Sequence, residues 1–93
     1  MSELSFIKLR KIERLGDHRL RLFFSNGEVG EHDFSALVSE EGSMVEPLRD
    51  AAYFARVFID FGAPTWPNGF DLAPYALHAE MKKAGELRQL AAE

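Results

Sequence analysis

His18-Arg19-Leu20-Arg21-Leu22-Phe23-Phe24, then Ser25-Asn26-Gly27-Glu28, then Val29-Gly30-Glu31-His32, is the stretch whose reading decides the fold. Leu20, Leu22 and Phe24 alternate with Arg19, Arg21 and Phe23, so an extended segment here has one wholly apolar face and one mainly charged face. Asn-Gly tolerates the positive φ values that a type I′ turn requires, and the twist of that turn matches the strands on either side. The spacing therefore predicts a β-hairpin with Phe24 opposite Val29, Leu22 opposite Glu31 and Arg21 opposite His32. Leu22 against Glu31 is a mismatch and Gly30 weakens the continuation, which predicts a short return arm near an exposed sheet edge.

Upstream, Phe6–Ile12 reads as a first strand in which Ile12 falls out of phase, implying a bulge or an early strand end. Downstream, Asp33 is placed to cap a single helical turn that turns Phe34 and Leu37 inward, and Asp50 to cap a second that presents Tyr53 or Phe54. Arg56–Asp60 reads as a short central strand interrupted by Gly62 and Pro64. Thr65-Trp66 resumes extended structure, and Pro67-Asn68-Gly69 turns the chain. Asp71 offers a cap and Pro74 an early helix position, after which Leu77 and Met81 share a face. Residues 82–93 are expected to form a helical extension, docked or partly frayed, with Leu87 and Leu90 on one stripe. The expected architecture is one α+β domain over residues 1–81, a small antiparallel or mixed β-sheet with short helices packed on one face, followed by that extension.

The 93 residues suit a single domain, and 46% hydrophobic content with eight phenylalanines supplies a small core. The absence of cysteine excludes disulfides, thiolate metal sites and thiol nucleophiles. No segment approaches the roughly 20 apolar residues of a membrane span, and residues 1–21 lack a signal-like apolar run, so a cytoplasmic location is expected. The net charge is -4, but it is unevenly distributed: residues 1–21 hold six basic and three acidic side chains, residues 22–81 two and ten.

That asymmetry makes Lys8, Arg10, Arg19 and Arg21, with Lys11 and Arg14, a candidate positive patch on the first two strands. Trp66 and Asn68 are candidate contacts in the late turn, and Leu87 and Leu90 in the tail. Asn26, Gly27, Asp50, Gly69, Asp71 and Pro74 have turn or cap roles that explain them without a ligand. His18, His32 and His78 are too widely spaced to form a metal-ligand motif, and no GxSxG elbow or phosphate-binding glycine loop surrounds any serine. No cofactor is implied. The leading expectation is a non-enzymatic protein-interaction or regulatory accessory domain whose partner is a small protein or a second copy. The alternatives are a DNA-binding accessory using the basic strand pair, and a small enzyme of unknown reaction.

Three segments in order, RLRLFFSNGEVGEHDFSAL from Arg19, PLRDAAYFARVFID from Pro47 and TWPNGFDLAPYAL from Thr65, resemble the small bacterial family known as domain of unknown function 2442 (DUF2442). The resemblance runs from about Phe6 to about Met81, and Gly27, Asp50, Phe54, Trp66, Gly69, Asp71 and Pro74 match its motifs. It implies a compact α+β domain, in some members beside a helix-turn-helix segment or next to the gene of a small toxin-like protein, and it implies no particular reaction. The stretch after Met81 is too short for a further complete helix-turn-helix domain.

Overall fold

The computed structural model describes residues 7–90. The expected strand start at Phe6, the candidate serines Ser2 and Ser5, and positions 91–93 of the tail lie outside the described residues. The order of elements is β1 (Leu9–Gly16), β2 (Arg19–Phe24), β3 (Glu28–Asp33), α1 (Ser35–Val38), a 3-10 turn (Glu46–Arg49), α2 (Ala51–Phe54), β4 (Phe58–Asp60), β5 (Ala63–Thr65), α3 (Pro74–Lys83) and β6 (Arg88–Gln89). This is the expected α+β class: a four-stranded antiparallel sheet ordered β1-β2-β3-β6, a two-stranded β4-β5 sheet, and short helices packed alongside. Among the described residues no helix is long and apolar enough to cross a membrane.

Leu20, Leu22 and Phe24 are buried on the inner face, as their alternation requires. The hairpin that follows differs in detail from the expectation. Phe23 pairs with Val29, Leu22 with Gly30, Arg21 with Glu31 and Leu20 with His32, one residue out of the expected register. The loop is Ser25-Asn26-Gly27, closed by Gly27 N–H donating to the Phe24 carbonyl at 3.1 Å, and of its residues only Gly27 has positive φ, at 91°. Glycine in the left-handed position of a three-residue hairpin loop does the work assigned to a two-residue type I′ turn. The shift by one removes the mismatch: Glu31 faces Arg21, and Gly30 lies beside Leu22 under the C-terminal segment. The paired positive φ values of a type I′ turn occur instead at Asp17 (54°) and His18 (62°), between β1 and β2.

The return arm is not an exposed edge where β6 covers it. Glu28 pairs with Gln89 and Val29 with Arg88, and Leu90 N–H donates to the Gly27 carbonyl at 2.9 Å. The tail therefore breaks from the expected helix. Helix α3 ends at Lys83, and Gly85 at φ 75° allows a Schellman closure in which Glu86 N–H donates to the Met81 carbonyl and Gly85 N–H to that of Lys82. The chain then crosses β3 at Gly30, where a Cβ would stand 2.3 Å from the Glu86 carbonyl oxygen. Only glycine permits that crossing.

The expected bulge in β1 occurs between Leu9 and Lys11, with a second irregularity between Arg14 and Gly16. Arg56–Asp60 does not supply a central strand: β4 covers Phe58–Asp60, pairs with β5 and stays outside the larger sheet. Arg14 spans the gap by donating from Nε and Nη2 to the Ala55 and Val57 carbonyls, and Leu9 N–H reaches the Gly62 carbonyl at 2.8 Å. Asp50 occupies the cap position of α2 but makes no side-chain capping bond. Asp71 bridges to Thr65 instead of capping α3, whose cap is Ala73 with Pro74 as first helical residue. Asp33 does serve α1, its carboxylate accepting from Ser35 N–H at 2.8 Å and from Ser35 Oγ at 2.6 Å.

Trp66 is fully buried at 0% exposure, and its indole N–H donates to the Phe54 carbonyl at 2.9 Å. Rings of Phe34, Phe54, Trp66 and Phe70 follow one another at centroid separations of 5.4–5.8 Å. Truncation of a buried tryptophan typically costs about 3–5 kcal/mol, so this side chain is part of what holds the two sheets together.

Candidate functional site

Helices α1 and α3 do not close on each other. Between them lies a groove of about 200 Å3. Its floor is Phe34, Leu37, Leu72 and Leu77, and alanines on both walls keep it open. The chain builds it locally: Asp33 fixes the start of α1 directly after β3, so Phe34 turns into the core while Leu37 stays half-buried at the groove. Pro74 fixes the start of α3, so Leu77 faces the same floor one turn later.

Among the described residues, every ionisable side chain on the lining apart from His32 is a carboxylate: Asp33, Glu40 and Glu80. The two hydrogen bonds from Ser35, the hydroxyl first and the amide second, hold the Asp33 carboxyl below its ordinary range. His32 sits at one end, with Nδ1 2.7 Å from Glu86 Oε1 and Nε2 3.8 Å from Glu80 Oε2, edge-on to Phe34. Among the described residues no lysine or arginine lines the groove. Arg49 approaches from the 3-10 turn, but its guanidinium donates to the backbone carbonyls of Val38 and Glu40.

The outer face of the large sheet is built on the opposite plan. Lys11, Glu13, Arg21, Glu31 and Arg88 alternate in sign across four strands, with successive contacts at 3.2, 2.7, 2.7 and 2.9 Å. Arg88 first and Arg21 second hold Glu31 down to about 2. The expected basic patch is thus only partly assembled. Arg21 lies inside this ladder and Arg14 is bound to backbone carbonyls, while Lys8 is exposed, its stem against Gly62 and its backbone amide donating to Ser25 Oγ. Arg10 and Arg19 are exposed, and Arg10 shares a shallow hollow of about 360 Å3 with Lys11, Phe23 and Leu90.

The structure places the remaining candidates apart from the groove. Trp66 is core, so it presents no surface anchor. Asn68 ties two loops, donating to the Met44 carbonyl at 2.9 Å and accepting from Phe70 N–H. Leu87 packs against the core and Leu90 is half exposed, on extended chain instead of a helical stripe. His18 bonds to the Leu48 carbonyl and His78 to Glu28, so the three histidines serve three separate places. Among the described residues no cluster of three or more His, Asp or Glu is arranged to hold a metal ion. Ser25, Ser35 and Ser39 are engaged in turn or helix hydrogen bonds.

Sequence reading missed the groove because its parts are dispersed. Glu40, Leu72 and Glu80 look like ordinary surface or spacing residues in one dimension. The available signal was the acidic excess of residues 22–81, which the fold concentrates around an apolar floor. Comparison with curated proteins and with solved structures returns no match. The DUF2442 family model, described as a protein of unknown function, matches residues 9–83, which include nearly all of the sheet, all three helices and the groove between them; the chain belongs to that family.

Proposed function

We propose that this domain is a non-enzymatic protein-interaction or regulatory accessory module, and that the α1–α3 groove is its docking surface. The observation that carries the reading is an apolar floor left open beneath a rim of three carboxylates. Apolar side chains exposed in a shaped depression supply association energy when covered, while a rim of one sign selects the partner. The volume also matters. About 200 Å3 falls below the roughly 300 Å3 at which small-molecule pockets begin, and suits a few side chains of another protein.

The partner is a small protein, with the toxin-like neighbours implied by the family resemblance as the first to examine, and the proposed setting is the cytoplasm. Binding to DNA through the first two strands has less support. Arg21 is paired with Glu13 and Glu31 and Arg14 is bound to backbone carbonyls, so fewer charges face outward than the sequence count suggests.

The test compares the wild-type chain with Ala76→Trp, which fills the groove from α3. Both are used to capture partners from native extract, and each captured protein is then purified and its affinity measured directly. A partner that binds the wild type and not the filled variant supports the reading. Equal binding to both removes the groove from the interaction, and salt-sensitive retardation of duplex DNA by the wild type would favour the alternative.

A further inference from the structure

We infer that the groove receives one face of a cationic amphipathic helix presented by the partner protein. This deepens the proposed interaction role and rests on it. Three features of the groove select that occupant.

The first is the charge balance. Asp33, Glu40 and Glu80 line the groove; Arg19 is the strand partner of Asp33 at one end, and Arg49 is turned to backbone carbonyls, so Glu40 and Glu80 carry most of the uncompensated charge. His32, the one other titratable group on the lining, is engaged with Glu86. Lysines or arginines flanking an apolar stripe would meet carboxylates on both walls, Glu40 after α1 and Glu80 on α3.

The second is the nature of the walls. An added β-strand needs a free extended row of backbone donors and acceptors, and neither α1, a single turn, nor α3 presents such an edge. What the groove offers is a concave apolar surface between helical ridges, which another helix fills with side chains at i, i+3, i+4 and i+7. The third is length. The α3 wall of the groove runs from Ala73 to Glu80, about 10 Å at 1.5 Å per residue, enough to accompany a partner helix for about two turns. Ala73 and Ala76 on α3 and Ala36 on α1 let that helix approach closely.

The experiment uses two synthetic helical peptides of identical leucine pattern, one carrying lysine and the other glutamate at all polar positions. Binding to the 93-residue chain is followed by fluorescence anisotropy and amide chemical shifts. The lysine peptide is expected to bind with shifts centred on Leu37, Leu72 and Ala76, and the glutamate peptide at least roughly tenfold more weakly. Glu40→Lys with Glu80→Lys should reverse that preference. Ala76→Trp should abolish binding, with Ala36→Trp as a second filled variant should the first unfold.

Equal affinity for both peptides, preference for the glutamate peptide, or binding unchanged by either filling overturns the inference. If Ala76→Trp loses a native partner while the peptides show no charge preference, the occupant is wrong but the interaction role stands. If the filled variants keep every partner and no peptide binds, both are wrong.

Discussion

Strand β3 carries charge on both of its faces, and the two faces use it differently. Outward, Glu31 joins Arg21 and Arg88 in a ladder open to water. Inward, Glu28 meets His78 at 2.5 Å beneath α3, where the imidazole is only 3% exposed and its Nδ1 has no partner among the described residues. His32 meets Glu86 at 2.7 Å beside the segment that crosses Gly30. The outer charges organise a surface that solvent would serve almost as well. The inner ones position the helix that walls the groove, so a comparable contact distance carries different energetic weight on the two sides.

The sharpest way to break this comparison is at its geometric centre. Gly30→Val puts branched carbon where the Glu86 carbonyl lies, and is expected to cost about 3 kcal/mol or more by urea denaturation, with loss of amide protection at Leu90. His78→Ala comes next, at about 2 kcal/mol, because among the described residues Glu28 keeps only Asn26 as a side-chain partner. In a folded His78→Ala chain the Glu28 carboxyl should titrate higher than in the wild type. His78 is the leading cause of its lowered value, and carbon-detected NMR titration reads the change directly.

On the outer face Glu31→Gln is expected to cost less than about 1 kcal/mol, since Arg21 and Arg88 are substantially exposed and screened. Its pH dependence sharpens the point. The folded carboxyl is depressed from 4.5 to about 2, so its contribution is fully present above 4.5 and lost as pH falls toward 2. The difference between wild type and variant should shrink across that window and vanish below it. A difference that persists at lower pH would mean the side chain acts by packing. Smallest in stability is Ala76→Trp, expected within about 0.5 kcal/mol by thermal denaturation because position 76 is exposed, yet decisive for binding.

Much of the sheet was legible from the alternation of Leu20, Leu22 and Phe24, and the hairpin from Asn26-Gly27. The register was not, because a left-handed glycine serves both a two-residue and a three-residue loop. The clash itself is the informative signal. Leu22 against Glu31 marked a register to be rejected, since moving by one pairs Glu31 with Arg21. Likewise Gly85 was a readable helix stop, but the spacing of Leu87 and Leu90 also fits a helix, and nothing local reveals that β3 waits to be paired. Asp50 and Asp71 looked like caps by residue type, while the backbone around them selected Ala73 and a bridge to Thr65. The groove depended on bringing residues 32–40 beside 72–80, which no local pattern encodes.

The closure of β3 by Arg88 and Gln89 also has a consequence during synthesis. Strands β1 to β3 are neighbours in sequence and can pair as soon as they leave the ribosome, whereas the partner for Glu28 and Val29 is translated some sixty residues later. Until then the nascent chain carries an unpaired strand edge open to other polypeptides, and a message cut short before Arg88 leaves it open for good.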